Sequence, residues 1–166
     1  MKAMCLGLVL CVLSMAVTAA DGPALDLQKY PQDTPQNALQ SIIKALESKD
    51  YSYWIGQLIL PEDTKRVSEK HGGVDHAAAK NADPKIAPKM QAQIDALKKL
   101  ASGKTSEVEK SGIKAYRFID EGRVAQFELQ ADKRWCMNVK ISTEKNMDNP
   151  VPGKSEEPKK AEEPKK

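Results

Sequence analysis

The chain has 166 residues, a formal net charge of +3 and 40% hydrophobic residues, which is enough for one domain with a modest core. Lysine and glutamate are interleaved along the sequence, and no basic stripe with interspersed aromatic residues occurs. We therefore expect no nucleic-acid partner.

The first 20 residues have the pattern of a secretory signal peptide. Lys2 is followed by an apolar run over residues 4–17 and then by small residues up to Ala20. This order predicts cleavage after Ala19 or Ala20 and a periplasmic or extracellular location. The alternative is a membrane anchor. Because the run is shorter than the roughly 20 apolar residues of a spanning helix, we expect no stable membrane span after cleavage.

Cysteine usage follows from that cleavage. Cys5 and Cys11 leave with the signal peptide, so Cys136 is the single cysteine of the mature chain. It cannot form an intramolecular disulfide, and the protein must therefore rely on its apolar core. We interpret Cys136 as a half-buried strand residue. The alternatives are a mixed disulfide with a partner or a nucleophile.

A polar lead-in over residues 21–33 precedes a single domain that we place at residues 34–142. Thr34 is a favourable N-cap and Pro35 fits the first helical position, so a helix is predicted from here to about Lys49. The apolar residues at helical spacing are Leu39, Ile42, Ile43 and Leu46.

The next apolar stretch contains Tyr51, Tyr53 and Trp54. We interpret Trp54 and one tyrosine as core residues, and the alternative is an aromatic rim for an apolar or sugar ligand. Pro61 then predicts a short helix through Arg66.

Residues 68–83 are a polar insert interrupted by Gly72 and Gly73, and residues 71–76 within it are predicted to form a loop. The insert holds both histidines of the chain, His71 and His76. A zinc site needs three or four ligands in tetrahedral geometry, so these two are weak metal candidates. We interpret the segment as a polar connection and expect no metal and no other cofactor.

A second long amphipathic helix is predicted from Pro88 to about Gly103, and beyond it the apolar period changes to two. Residues 104–110 predict a weak edge strand. A turn at Glu121 and Gly122 starts a hairpin that pairs Phe118 with Ala125 and Tyr116 with Phe127. A three-residue loop at residues 132–134 starts another, which pairs Ala131 with Trp135, Leu129 with Met137 and Phe127 with Val139.

Both turns place one apolar set on the same sheet face: Tyr116, Phe118, Ala125, Phe127, Leu129, Trp135, Met137 and Val139. The predicted fold class is α+β, with N-terminal amphipathic helices packed on one face of a C-terminal antiparallel β-meander of about four strands. The opposite face is expected to be solvated, and its residues are Arg117, Gln126, Glu128, Asn138 and Lys140.

The C-terminal segment, residues 143–166, contains the unit EEPKK twice. It has too few apolar side chains to offset the entropy of ordering it, so we expect a disordered tail rich in Lys, Glu and Pro. The tail either keeps the domain soluble or contacts a wall or a partner.

The order of parts resembles that of the nuclear-transport-factor-2-like superfamily, which includes ketosteroid-isomerase-like and other cystatin-like α+β domains. The resemblance is carried by Thr34-Pro35, Ala38-Leu39, Ala45-Leu46, Asp50-Tyr51 and Trp54, and by the late strand with Trp135. It implies a cavity between helices and sheet, and it allows a homodimer through the polar sheet face. The ligand-pocket candidates are then Trp54, Tyr116, Phe118, Phe127, Trp135 and Met137.

These candidates are apolar apart from Tyr116, and no carboxylate falls in register on the apolar face of the well-patterned strands. We therefore assign no catalytic residue and favour a non-catalytic, exported domain that binds a small apolar ligand or a protein partner. One alternative is a cavity enzyme of the ketosteroid-isomerase-like type. Another is a structural cell-envelope protein that acts through its charged tail.

Overall fold

The computed structural model describes residues 22–110, 112–139 and 142–143. The predicted signal peptide lies outside these residues, and so does the predicted tail apart from its first residue. Helices precede an antiparallel sheet along the described chain, which confirms the α+β class.

The helical half contains five α-helices and one π-helical segment. None of the helices among the described residues is long and apolar enough to cross a bilayer. The bounds are Pro35–Glu47 for α1, Tyr51–Tyr53 for α2, Trp54–Leu58 for the π-helical segment, Pro61–His71 for α3, Val74–Asn81 for α4 and Ala87–Ala101 for α5.

Helix α1 begins as its sequence predicts. Pro35 occupies the first turn, and the Thr34 hydroxyl accepts a hydrogen bond from the backbone N–H of Asn37 at 3.1 Å. The helix ends where Lys49 takes a left-handed conformation with φ of 58°, a role that glycine usually fills. The four predicted apolar residues of α1 are all buried.

The prediction of a loop at residues 71–76 is wrong apart from the turn at Gly72 and Gly73. Helix α3 continues past Arg66 to His71, and the left-handed Gly72 ends it by donating its backbone N–H to the Ser68 carbonyl at 2.8 Å. Helix α4 follows directly after Gly73. Its buried residues are Val74, Ala77 and Ala78, and side chains this small give only a weak helical pattern.

The sheet has strand order β1-β2-β3-β4, with a short β5 also paired to β3. The bounds are Lys104–Lys110 for β1, Ile113–Asp120 for β2, Arg123–Leu129 for β3, Trp135–Met137 for β4 and Ser142–Thr143 for β5. The β2–β3 register is the predicted one, since Phe118 faces Ala125 and Tyr116 faces Phe127.

The β3–β4 register differs from the prediction by two residues. Leu129 faces Trp135 and Phe127 faces Met137, because the backbone N–H of Gln130 donates to the Arg134 carbonyl at 2.8 Å and closes the loop one residue earlier. Lys133 adopts a φ of 66° in this loop. An even shift leaves every side chain on its predicted face.

Helices α1 and α5 cover the apolar face of the sheet. Helix α5 is followed by Gly103, and a Cβ atom at this position would collide with the Ile119 carbonyl on β2. The close approach of helix and strand therefore requires glycine here.

The packed body also includes the lead-in. Tyr30 and Gln32 are 0% and 1% exposed. The Tyr30 ring lies 4.4 Å from the Tyr53 ring, centroid to centroid, and its hydroxyl donates to the Asp50 carboxylate at 2.9 Å. The domain therefore begins before Thr34.

Candidate functional site

Four of the six predicted ligand-pocket residues lie inside the core. Phe118, Phe127 and Met137 are buried on the helix-covered face of the sheet, and Trp54 is buried at the start of the π-helical segment. The rings of Phe118 and Phe127 pack edge to face at 5.5 Å between centroids. The Trp54 indole N–H has no acceptor among the described residues.

The other two candidates, Tyr116 and Trp135, lie at the margin of this core and are half-buried. Their rings pack edge to face, with an interplanar angle of 76° and centroids 6.4 Å apart. The side-chain amide of Gln36, in the first turn of α1, donates to the Tyr116 hydroxyl at 3.0 Å. This bond fixes the edge of the Tyr116 ring that faces solvent.

A hollow of about 560 Å³ lies beside Trp135, at the end of the sheet where β1 finishes and β2 begins. We call it the sheet hollow. It is lined by Glu107, Val108, Glu109, Lys114, Ala115, Leu129 and Trp135. Leu129 and Trp135 are a cross-strand pair, and they give the hollow its apolar wall.

The β1–β2 register places carboxylates next to this wall. Glu107 lies across from Tyr116 and Glu109 lies across from Lys114, and cross-strand partners share a sheet face. No ion pair to Glu107, Glu109 or Lys114 occurs within the described chain. The sequence predicts Glu109 opposite Lys114, and the register confirms this pair. The inward position of Glu107 was not predicted, because β1 has no apolar alternation from which its inward face could be read.

A second cavity of about 360 Å³ lies between the π-helical segment, α3 and β4. We call it the α3–β4 cleft. It is lined by Gly56, Gln57, Ile59, Pro61, Thr64, Lys65, Ser68, Val74, Arg134 and Cys136. The Thr64 hydroxyl donates to the Ile55 carbonyl at 2.7 Å, and this bond ties α3 to the π-helical segment.

Cys136 is buried rather than half-buried, at 2% exposure. Burial is the main cause that raises the pKa of its thiol to about 11, and the nearby Arg134 only partly opposes it. A thiol that stays protonated at neutral pH is a poor nucleophile. The structure therefore favours a packing role for this side chain.

The two weak metal candidates, His71 and His76, have different hydrogen-bond partners. His71 Nδ1 lies 3.1 Å from the Lys80 ammonium, whereas His76 Nδ1 lies 2.9 Å from the Gly72 carbonyl. Partial desolvation and the charges of Lys80 and Lys70 lower the pKa of His71. No group of three or more potential ligands occurs within the described part of the chain.

The predicted solvated face of the sheet carries a connected row of polar side chains. Arg117 Nε donates to Gln126 Oε1 at 3.1 Å, and Gln126 Nε2 donates to Glu128 Oε1 at 2.8 Å. All three residues are half-buried. Lys140 lies outside the described residues.

Comparisons of this chain with protein-family models, with curated proteins and with solved structures find no match. The chemistry of the two cavities is therefore what bears on function.

Proposed function

We propose that this protein is an exported, non-catalytic domain that binds a small ligand in the sheet hollow. The ligand has an apolar or aromatic body and one cationic group. The observation that carries the proposal is the hollow itself, which is lined both by the half-buried Trp135 and by a carboxylate, Glu107, that has no cation across from it.

The apolar wall supports the first part of the ligand class. Trp135 and Leu129 present a side-chain surface that is half-buried rather than packed away. An aromatic or aliphatic group placed there would remove apolar area from water on both molecules, at roughly 25 cal/mol per Å². The volume of about 560 Å³ lies within the usual range for small-molecule sites.

The charges support the second part. Glu109 lies across from Lys114, so these two charges offset one another, whereas Glu107 lies across from the neutral Tyr116. A cation held by Glu107 would also lie close to Tyr116 and Trp135, whose ring faces attract cations.

Binding is favoured over acid–base chemistry by the position of the carboxylates. Glu107 and Glu109 are exposed to solvent, whereas the pKa of an efficient general acid or base is usually shifted by burial or by a close charged partner.

The export part of the proposal rests on the signal-peptide pattern of residues 1–20.

Titration calorimetry with 2-phenylethylammonium as the probe tests the proposal. We expect saturable binding that Glu107→Gln weakens about two- to fivefold, because an ion pair at an exposed carboxylate contributes up to about 1 kcal/mol. Glu121→Gln is the matched control, since Glu121 is an exposed carboxylate at the other end of β2. Equal affinity in both variants, or no binding to the parent protein, would refute the proposal.

A further inference from the structure

We propose that the α3–β4 cleft is a second binding site, which takes a small organic carboxylate with an aliphatic tail. The cleft and the sheet hollow share no lining residue. The two proposed sites can therefore be tested independently of one another.

The charge of the cleft sets the sign of the ligand. Arg134 and Lys65 are its charged lining residues. Arg134 lies 2.6 Å from Asp132 and Lys65 lies 3.9 Å from Glu69, and neither carboxylate lines the cleft. The sheet hollow has the opposite balance, with two carboxylates and one lysine. The charged residues that line the cleft and the sheet hollow are thus of opposite net sign.

The Arg134 guanidinium is held in place on two of its three nitrogens. Its Nε donates to the Asp132 carboxylate at 2.6 Å, and its Nη1 donates to the side-chain oxygens of Gln57 at 3.2 Å and Gln32 at 3.5 Å. Its Nη2 has no acceptor within the described residues. The two N–H groups of Nη2 are therefore the ones left for a ligand oxygen.

The Gln32 side chain, which accepts from Arg134, is itself held in place by backbone groups. Gln32 is 1% exposed, and its Nε2 donates to the backbone carbonyls of Gln57 at 2.9 Å and Trp135 at 3.3 Å. A cation that is already oriented loses little side-chain freedom when a ligand binds, and this lowers the entropic cost of association. Bonds from guanidinium to carboxylate are among the stronger hydrogen bonds in proteins.

The rest of the cleft suits an apolar tail. Ile59, Pro61 and Val74 are the aliphatic residues among its lining. The π-helical segment contributes Gly56 and Gln57, and single π-helical turns occur frequently at functional sites. A volume of about 360 Å³ is near the lower limit of small-ligand sites, so the whole ligand must be small.

Cys136 does not oppose an anion in this cleft. Its buried thiol keeps its proton at neutral pH, because burial raises its pKa to about 11. The Sγ atom accepts a hydrogen bond from Gln32 Nε2 at 3.8 Å. The cleft therefore presents a neutral, polarizable surface at this point rather than a thiolate.

Octanoate and octylammonium are the probes that test this site, followed by titration calorimetry and by amide shifts in ¹H–¹⁵N spectra. We expect octanoate to bind and to shift the amides of α3 and β4, whereas octylammonium should leave them unchanged. Arg134→Gln should weaken octanoate binding about ten- to hundredfold. Arg123→Gln is the matched control, because Arg123 is an exposed cation outside the cleft, and it should bind octanoate like the parent.

Ser68→Phe guards against a folding defect in the arginine variant. Ser68 lines the cleft from α3 and its side chain forms no hydrogen bond within the described residues, so a phenyl ring there should fill the cavity and abolish octanoate binding while Arg134 stays intact. The proposal is overturned if octanoate fails to bind the parent protein. It is also overturned if a folded Arg134→Gln or Ser68→Phe protein keeps the parent affinity, or if octylammonium shifts the same amides.

Discussion

Gln32 and Trp135 are joined by two hydrogen bonds across 103 residues of sequence. The Trp135 backbone N–H donates to the Gln32 carbonyl at 2.9 Å, and the Gln32 side chain donates back to the Trp135 carbonyl at 3.3 Å. The outer edge of β4 is thus paired with the lead-in instead of being left open. This protects an edge strand that would otherwise be free to pair with another chain.

Gln32→Ala should therefore destabilise the protein by about 1–3 kcal/mol, because it leaves buried carbonyl groups without their donor. The free energy of unfolding in urea measures this cost. Gln40→Ala is the control, since Gln40 is exposed on α1 and should change stability by less than about 0.5 kcal/mol. A cost for Gln32→Ala no larger than that of the control would show that the lead-in is not part of the cooperative domain.

Tyr30→Phe should produce a loss of stability that depends on pH. Burial raises the pKa of Asp50, but the hydrogen bonds from Lys29 and Tyr30 outweigh it and the net pKa is lowered. Because the pKa of Asp50 is lower in the folded state, its ionised carboxylate stabilises the protein at pH values above the ordinary pKa of about 4. This stabilisation is lost as the pH falls through the lowered pKa. The substitution should thus cost about 1–2 kcal/mol at pH 7 and clearly less near pH 2.

The control for this pH dependence is Tyr51→Phe, since the Tyr51 hydroxyl makes no hydrogen bond within the described residues. Unfolding free energies of both variants at the two pH values are the measurement. If Tyr30→Phe lowers the free energy of unfolding by the same amount at both pH values, the loss of stability does not come from the hydrogen bond to the Asp50 carboxylate.

In the folded protein, the Cys136 thiol should resist thiol reagents. Its burial should also make the free energy of unfolding fall at alkaline pH. Because its folded-state pKa is raised to about 11, only the unfolded chain releases this proton above about pH 9, and folding becomes less favourable from there to about pH 11. Unfolding free energies at pH 7.5 and 10.5 should fall more in the parent than in Cys136→Ala, with Cys5 and Cys11 replaced by serine in both. Parallel pH profiles would contradict the burial of the thiol.

The N-terminus of the exported protein is expected at Ala20 or Asp21, because the predicted cleavage follows Ala19 or Ala20. Expression of the full chain in a bacterium, followed by N-terminal sequencing of the protein from the periplasm or medium, checks this. Recovery of the intact chain from the membrane fraction would favour the anchor instead.

The elements with strong local signals could be predicted from the sequence. Thr34-Pro35 marks the start of α1, and Glu121-Gly122 marks the β2–β3 turn, where φ is positive at both residues. The alternation of β3 and β4 fixes which side chains face the helices but cannot distinguish registers that differ by two residues. The hydrogen bond in the loop, from the Gln130 backbone N–H to the Arg134 carbonyl, sets the observed register.

The positions of the cavities could not be predicted from the sequence. The predicted pocket lies between the helices and the sheet, whereas the sheet hollow lies at the end of the sheet where β1 finishes, and Trp135 is the predicted pocket residue that lines it. The α3–β4 cleft could not be predicted, because Gln32 and Arg134 are polar residues in polar surroundings, 102 positions apart. Buried polar networks of this kind have no periodic signature in a sequence.

The most direct test of ligand binding in the sheet hollow uses the two tryptophans of the chain. In a ¹H–¹⁵N spectrum each indole N–H gives one signal, which substitution of either residue by phenylalanine assigns. Trp54 lies in the core and Trp135 lines the hollow. On titration with 2-phenylethylammonium, the Trp135 signal should shift and saturate while the Trp54 signal stays in place. A Trp135 signal that does not move, or a Trp54 signal that moves as far, would contradict the account.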